Sequence, residues 1–365
     1  MKLSPRKLFN CAMNFECPGR TLATLGGIWA STLNRWVQEG MPPNLKEMPK
    51  MVEYFDLDPH IWTGPSAQLF VYPPFEHKIV RETDTKVTYV NHAGIVCTEF
   101  KKDAYKSMPH FESYPVKNRK DWTEYRKRLR WDPDRIGDKW EQQKRQWAER
   151  DTPLILYLDR LASLYGSLRD MVGTTQLSML FYDDPELVEE MMDTVTELFE
   201  QLIPVLFADF VPDAVCMWED MAFKNGPLVS PKLVRQFMLP RYRRMTEILR
   251  DIGVPIILLD SDGNVGELIP IWLEADIDGV VPMEVQAGMD VDRYRQKYPE
   301  LLIMGGVDKK ALAAGPDAID AEMEKIECTI ASGGYVPFFD HGLPHDVSYD
   351  NFLYFVQRLK ETVRL

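Results

Sequence analysis

The sequence predicts an α/β protein, built as a single (β/α)8 TIM barrel with an N-terminal extension that contains a small β-meander. From residue 152 onward, short apolar stretches alternate with longer segments of helical period, which is typical of a sheet covered by helices. These stretches are apolar on successive residues, which indicates parallel strands buried on both faces. An open doubly wound sheet is the alternative, but no glycine-rich phosphate-binding motif follows any strand.

The first 150 residues form the predicted extension. A helix is expected around 45–56, and residues 119–150 have a charged, helical pattern. Residues 77–100 contain three stretches of strand composition separated by turn sequences, which predict the meander. Residues 66–72 are expected to supply one of the two strands that the barrel needs beyond those in the second half.

Residues 151–365 carry the main run of βα units, and the whole chain, 1–365, is expected to be one domain. Six strands are predicted in this part, at 153–159, 213–220, 255–260, 278–284, 301–308 and 335–341. Two of the intervening helices have clear boundaries. One begins with Ser230 and Pro231, and another begins after Gly315-Pro316 and ends at Gly333-Gly334.

The composition excludes several classes of protein. A hydrophobic content of 45% and a charged content of 27% are typical of a soluble globular chain, and the net charge of −13 argues against nucleic-acid binding. No apolar run is long enough to span a membrane, and the first 19 residues lack the apolar core of a secretion signal. Five cysteines without a CxxC pair predict a reducing compartment rather than a disulfide scaffold. We therefore expect a cytoplasmic protein whose ligand is a small molecule.

Every predicted strand of the second half ends on an acidic side chain. These side chains are Asp159, Glu219, Asp220, Asp260, Asp262, Glu284, Asp308 and Asp340, and His341 follows the last of them. In a barrel the carboxyl ends of the strands form one mouth, where active sites lie. Like charges gathered there repel, so a metal, protonation or basic residues must compensate them. The alternative interpretation of each is an ordinary turn or helix N-cap, since both favour aspartate.

Aromatic side chains flank these strand ends. Tyr157, Trp218, Phe223, Tyr335, Phe338 and Phe339 are candidates to wall a flat ligand, and plain barrel packing is the alternative. The remaining histidines, at positions 60, 77, 92, 110 and 345, lie in loops or in the meander, and we interpret them as structural or solvated.

Five segments carry a resemblance that extends over most of the chain. They are PHFESYPVKNRKDWTEYRKRL (109–129), WED (218–220), LLDSDGN (258–264), GGVDKKAL (305–312) and GGYVPFFDHGLPHDVSYDN (333–351). Together they resemble the uroporphyrinogen decarboxylase superfamily, which also contains zinc-dependent corrinoid methyltransferases. The resemblance implies a single barrel with its site at the mouth. The arginine-containing N-terminal pattern of the true decarboxylase is not kept at 18–36, and an acidic mouth suits a polycarboxylate poorly.

The resemblance to the methyltransferase branch implies a metal site. The His-x-Cys pair, the Glu and the late Cys of that branch fall on Asp260 and Asp262, Glu284 and His341 of this sequence. This oxygen-rich set with one imidazole suits zinc first, and Mn²⁺ or Fe²⁺ as well. Cobalamin would enter only through a corrinoid partner protein, and a homodimer is expected on the same resemblance.

Three functions follow from these observations. The first is a metal-dependent methyltransferase that moves a methyl group from a small methoxylated or methylated compound to a corrinoid protein. The second is a decarboxylase-like enzyme without a metal, in which clustered carboxylates protonate a carbanion-like intermediate. The third is a non-catalytic barrel that holds a ligand. The candidates to orient the substrate or to act as acid or base are Asp159, Glu219, Asp220, Asp308 and Asp340.

Overall fold

The computed structural model describes residues 3–17, 19–102 and 108–364. The strands are β1 (Ile61–Thr63), β2 (Lys78–Glu82), β3 (Lys86–Val90), β4 (Val96–Phe100), β5 (His110–Ser113), β6 (Leu154–Tyr157), β7 (Ala214–Trp218), β8 (Ala222–Phe223), β9 (Gly226–Pro227), β10 (Ile257–Asp260), β11 (Gly279–Val281), β12 (Leu302–Met304) and β13 (Tyr335–Val336).

The α-helices are α1 (Pro5–Met13), α2 (Ala30–Gln38), α3 (Met48–Tyr54), α4 (Arg119–Tyr125), α5 (Asp138–Trp147), α6 (Tyr165–Val172), α7 (Thr174–Asp183), α8 (Pro185–Leu206), α9 (Pro231–Leu233), α10 (Leu239–Ile252), α11 (Ile269–Glu274), α12 (Val291–Lys297), α13 (Lys309–Ala314), α14 (Pro316–Ser332) and α15 (Tyr349–Thr362). A π-helical segment, Val234–Met238, joins α9 to α10. Ser230 caps α9 as predicted, because its hydroxyl accepts a hydrogen bond from the backbone N–H of Leu233.

Seven strands form one sheet in the order β1-β6-β7-β10-β11-β12-β13, and every neighbouring pair is parallel. All six strands predicted after residue 152 belong to it. The spatial order follows the chain without reversal, whereas a doubly wound sheet reverses its order at a switch point. The fold is therefore a curled parallel sheet of the TIM-barrel type rather than an open doubly wound one.

Residues 21–28 lie between the two edges of this sheet. The hydroxyl of Thr21 donates to the carbonyl oxygen of Tyr335 at 2.7 Å, and the backbone N–H of Asp58 donates to the carbonyl oxygen of Ala23 at 2.8 Å. Within the described part of the chain, no strand ladder joins β13 to β1. The sheet thus has seven paired strands, with this segment at the position that an eighth strand takes in a closed barrel.

The strand predicted at 66–72 is wrong, and β1 takes its place in the sheet. The guanidinium of Arg135 is buried and donates to the carbonyl oxygens of Gln68 and Phe70, each at 2.8 Å. The carbonyl oxygen of Arg135 in turn accepts from the N–H of Gln68 at 2.8 Å. These backbone groups therefore pair with one arginine rather than with a neighbouring strand.

The predicted meander is confirmed as an antiparallel sheet of four strands, β2-β3-β4-β5. Its first three strands match the three expected stretches, and β5 extends it. Helical structure is also confirmed at α3 and within 119–150, where α4 and α5 are separated by short turns.

Alternate residues of the barrel strands belong to two different cores, as the two-residue period of a strand requires. The inner core contains Ile155, Cys216 and Leu258 together with Leu8, Phe9 and Met13 of α1. The outer core contains Leu156, Met217 and Leu259, which pack under the surrounding helices. Helix α1 thereby covers the amino ends of the strands, and the carboxyl ends remain open.

Cys11 and Cys17 form a disulfide that connects α1 to the loop after it, a pairing that was not expected from the sequence. Cys97 and Cys216 are buried free thiols, and Cys328 is exposed. None of the helices in the described ranges is long and apolar enough to cross a membrane.

The contact between residues 21–28 and the start of β1 is expected to contribute to stability. An Asp58→Ala variant removes the carboxylate oxygen that accepts from the buried N–H of Ala23 at 2.9 Å. An unsatisfied buried N–H costs about 1–3 kcal/mol, so the urea midpoint should fall accordingly. Glu53→Ala, which changes an exposed acidic residue of α3, is the control and should leave the midpoint unchanged. Equal midpoints for the two variants would contradict this role of Asp58.

Candidate active site at the carboxyl ends of the strands

Three side chains at adjacent strand ends point into the barrel. Tyr157, Trp218 and Asp260 end β6, β7 and β10, and each lies two residues after an inner-core residue of its strand. Trp218 and Asp260 are also register partners. The period of the strands therefore places all three above the inner core, at the mouth.

Asp260 is enclosed by protein but borders a cavity. The hydroxyl of Tyr157 donates to its carboxylate at 3.1 Å. Burial and, after it, the negative charge of Asp262 raise the pKa of Asp260 to about 7, while the hydrogen bond from Tyr157 acts in the opposite direction. A substantial fraction of Asp260 therefore carries a proton at neutral pH.

Two adjoining cavities open at this carboxylate. The smaller, about 360 Å³, is lined by Trp218, Asp220, Asp262, Phe338, Phe339 and His341 among others. The larger, about 720 Å³, extends toward residues 25–62. Gly27, Asp260, Val281 and Phe338 line both. Asp260 thus stands at the junction of the two spaces.

Asp262 and His341 form a pair at the edge of the smaller cavity. The Nε2 atom of His341 lies 3.4 Å from a carboxylate oxygen of Asp262. The hydrogen bond with Asp262 raises the pKa of His341, against the effect of burial. The ring of Trp29 stacks on the imidazole, with centroids 6.4 Å apart. The pair therefore supplies a second proton-carrying group beside Asp260.

Glu284 and Asp340 share one lysine. The Nζ atom of Lys309 lies 3.3 Å from a carboxylate oxygen of Glu284 and 3.5 Å from one of Asp340. Asp340 is fully buried and also accepts from the N–H groups of Val285 and Lys309. Burial raises the pKa of Asp340, and the ammonium of Lys309 opposes that rise. Asp340 is therefore a buried acceptor of backbone hydrogen bonds, and it lines neither of the two cavities at Asp260.

The four expected metal ligands do not form a metal site in this geometry. Asp260 is bonded to Tyr157, and Glu284 is engaged by Lys309 and by the N–H of Gly263 at 3.1 Å. Across residues 3–17, 19–102 and 108–364, no three His, Cys, Asp or Glu side chains converge so that they could hold a metal ion. The ammonium of Lys309 already compensates the charge of Glu284, so the side chains as placed do not fit the implied metal.

Glu219 and Asp220, which follow β7, have different surroundings: Glu219 is buried, whereas Asp220 lines the smaller cavity. The carboxylate of Glu219 is fully buried and accepts from the N–H groups of Leu164 and Tyr165 and from the hydroxyl of Tyr242, at 2.7–2.8 Å. Burial raises the pKa of Glu219 to about 7 while these donors oppose the rise. Glu219 therefore caps the start of α6 and lines neither of the two cavities at Asp260.

Asp220 lines the smaller cavity, as expected, and pairs with the guanidinium of Arg169 at 2.9 Å. Asp159 pairs instead with Arg160, away from Asp260 in a separate cavity beneath the meander. Both aspartates have a positive φ, 46° for Asp159 and 45° for Asp220. Aspartate tolerates this turn conformation better than most residues.

Asp308 is the N-cap of α13, which is the alternative interpretation given above for the strand-end aspartates. Its carboxylate accepts from the N–H of Lys310 at the start of α13 and from the side chain of Gln286, both at 2.8 Å. It lines neither cavity at Asp260. Asp308 and Asp159 thus lie outside the candidate site, contrary to expectation.

Some of the aromatic candidates line the cavities at Asp260, and others do not. Trp218 and Phe339 line the smaller cavity, and the guanidinium of Arg160 lies 3.9 Å above the ring of Trp218. Phe223 is 68% exposed in the β8–β9 hairpin and does not line the cavities. Tyr335 is buried, and its hydroxyl donates to the carbonyl oxygen of Gly305 at 2.9 Å. The buried position of Tyr335 is therefore explained by packing within the protein and not by contact with a ligand.

Two residues that the sequence pattern does not point to, His60 and Trp62, line the larger cavity, while Trp29 stacks on His341 and Lys309 contacts Glu284 beside the cavities. His60 and Trp62 line the larger cavity at β1, which was not recognised as a barrel strand. An apolar HIWT stretch is too short to be distinguished from a loop by its period. Lys309 follows the strand-end Asp308 directly, so its position was available from the same pattern.

Comparisons with known proteins agree with this architecture. Residues 161–362 match the sequence model of the uroporphyrinogen decarboxylase (URO-D) family. Among solved structures, a methyltransferase from Methanosarcina mazei has the same fold, with a TM-score of 0.61 and 15% identity over 99% of both chains. A search of curated proteins finds no match.

The pH dependence of stability should report the raised pKa of Asp260. The unfolded chain releases this proton near pH 3.8, but the folded protein holds it until about pH 7. Between these values the folded state binds more protons, so rising pH favours unfolding. The free energy of unfolding of the wild type should therefore fall relative to Asp260→Asn across this window in urea titrations. A difference that is independent of pH would show that Asp260 ionises normally.

Metal content should depend on Lys309. Protein purified without a metal-affinity column is expected to carry no stoichiometric zinc, manganese or iron in elemental analysis. Lys309→Met leaves Glu284 and Asp340 without their cation and is expected to bind added Zn²⁺ or Mn²⁺ more tightly than Lys310→Met, whose changed residue is exposed. Stoichiometric metal in the wild type that an Asp260→Ala/His341→Ala variant loses would overturn this expectation.

Proposed function

Because the chain belongs to the uroporphyrinogen decarboxylase family, we propose that the cavities around Asp260 are the active site of a methyltransferase. Its substrate would be a small methoxylated or methylated compound. The shared fold with the methyltransferase from Methanosarcina mazei supports this choice within the family. The observation that carries the proposal is a carboxylic acid of raised pKa at the junction of two cavities.

Removal of a methyl group from an ether oxygen requires a proton. When the carbon–oxygen bond breaks, its electron pair stays on the oxygen, which becomes a poor leaving group unless it is protonated. Asp260 in its acid form would donate that proton to the oxygen, and the product would leave as an alcohol. The hydroxyl of Tyr157 would hold the carboxyl group in place through its 3.1 Å bond.

The second proton carrier would restore Asp260 after each turnover. His341 and Asp260 influence each other electrostatically, and both line the smaller cavity. With its pKa raised by Asp262, His341 is protonated more readily than an ordinary histidine. We assign to this pair the return of a proton to the Asp260 carboxylate.

The acceptor of the methyl group would be a corrinoid protein, a partner that rests on the resemblance to the methyltransferase branch. It would approach the smaller cavity, whose edge carries the 45% exposed Trp29. No step is assigned to a metal, because Lys309 already compensates Glu284 and Asp340.

Decarboxylation is the second candidate, since the same acid of Asp260 could act on another intermediate. Loss of CO₂ from a carboxylate leaves the bonding electron pair on carbon, and the Asp260 proton would then complete a carbon–hydrogen bond. The charge of the site argues against this candidate. Among the described residues that line the two cavities there is no lysine or arginine to bind a substrate carboxylate.

Methyl transfer can be tested with a panel of methoxybenzenes and reduced cobalamin as acceptor, followed by the absorbance of the cobalamin. The wild type should turn over at least one compound, and Asp260→Asn should lower kcat/KM by about 10²–10⁴-fold, as expected for loss of a general acid. Glu267→Gln, at a nearby exposed position, is the matched control. Equal activity in Asp260→Asn would refute the assigned role. Release of CO₂ from the matching methoxybenzoates, without methyl transfer, would favour the second candidate.

A further inference from the structure

The wall of the larger cavity is mainly apolar and carries few polar groups. Leu25, Met48, Val52, Trp62 and Phe338 are among its lining residues. Two side chains that can titrate, His60 and Asp260, also line it, and none of its described lining residues is lysine or arginine. A wall of this kind binds apolar surface and leaves few groups to orient a ligand.

His60 is held in one orientation by a buried threonine. Its Nδ1 atom lies 2.6 Å from the hydroxyl oxygen of Thr24, which is 1% exposed. That hydroxyl makes no other hydrogen bond among the described residues. A hydroxyl that accepted from Nδ1 would leave its own buried O–H without an acceptor, which favours the arrangement in which Thr24 donates and Nδ1 accepts.

This bond determines which nitrogen of His60 carries the proton. With Nδ1 accepting, the proton of the neutral imidazole is on Nε2, for which the described chain offers no acceptor. Burial lowers the pKa of His60 to about 4, so the ring is neutral at pH 7. The lining of the cavity therefore includes the N–H donor of His60 and the acid group of Asp260.

From this arrangement we infer that the larger cavity binds an uncharged, largely apolar small molecule through an oxygen that accepts a hydrogen bond from Nε2 of His60. His60 is thus the residue that selects the substrate. An anionic ligand would meet no compensating cation and would be repelled by Asp260 when that group is ionised. A cationic ligand that carries no oxygen, such as a quaternary ammonium ion, would leave the N–H of His60 without an acceptor.

The inference deepens the proposed function, because it names the substrate class of the same site and rests on Asp260 belonging to that site. It is tested by binding alone, so its outcome does not depend on turnover. If the protein binds the neutral probe but transfers no methyl group, the proposed function fails while the inference stands.

Three probes of similar size separate the alternatives: neutral 2-methoxyphenol, anionic 2-methoxybenzoate and cationic phenyltrimethylammonium. Binding is measured at pH 8 by calorimetry and by the fluorescence of Trp62, which lines the cavity and is compared with a Trp62→Phe variant. The neutral probe should bind at least about tenfold more tightly than either ion. Tighter binding of the anion or of the cation would overturn the inference.

Variants of His60 test the hydrogen bond itself. His60→Leu should weaken binding of 2-methoxyphenol by about five- to tenfold, and His60→Gln, which keeps an N–H donor, should recover much of the loss. Thr24→Val, which frees Nδ1 to take the proton, should weaken binding as well. His110→Leu changes an exposed histidine and is the control. Circular dichroism shows whether each variant is folded, and if His60→Leu does not fold, the comparison of His60→Gln with Thr24→Val decides. Unchanged affinity in folded His60→Leu, or in Thr24→Val, would overturn the inference.

Discussion

The site depends on how the negative charges at the carboxyl edge of the parallel sheet are compensated. Several acidic side chains lie close together there, and each needs a positive charge, a hydrogen-bond donor or a proton. Arg160 and Arg169 pair with the aspartates that follow β6 and β7, and Lys309 contacts both Glu284 and Asp340. Such pairing is required where carboxylates leave water, since an unpaired buried charge costs several kcal/mol. Most of the acidic strand ends are therefore satisfied within the protein.

Among the acidic side chains that line the two cavities, Asp220 pairs with Arg169 and Asp262 with His341, whereas Asp260 has no basic partner, and this explains its chemistry. No lysine or arginine in the described part of the chain forms an ion pair with it, and Asp262 and Asp220 both raise its pKa. The remaining way to reduce its charge is to keep the proton. A carboxylic acid that is protonated near neutral pH, held by the hydroxyl of Tyr157, is thus a consequence of leaving this cavity carboxylate without a cation.

The N-terminal part of the chain completes the site. Residues 21–28 lie between the edges of the sheet, α1 covers the amino ends of the strands, and β1 carries His60 and Trp62 to the larger cavity. The barrel would otherwise present only the βα loops of its second half at the mouth. The extension is therefore part of the working fold, and it supplies the apolar wall that the acidic strand ends lack.

The sequence by itself determined the class of fold, the six strands after residue 152, the meander and the presence of acidic strand ends, because these depend on local period and composition. It also drew attention to Asp260, because the side chain ends an apolar run, although the resemblance implied a metal ligand at this position. Only the tertiary structure decided which carboxylates face a cavity. Glu219 binds backbone groups of α6 more than 50 residues earlier, and Lys309 reaches Glu284 across 25 residues. The position of β1 was likewise decided by contacts between distant segments, such as the bonds of Arg135 to residues 68 and 70. The sequence shows which side chains are acidic. Which group neutralises each of them depends on how distant helices and strands pack against one another.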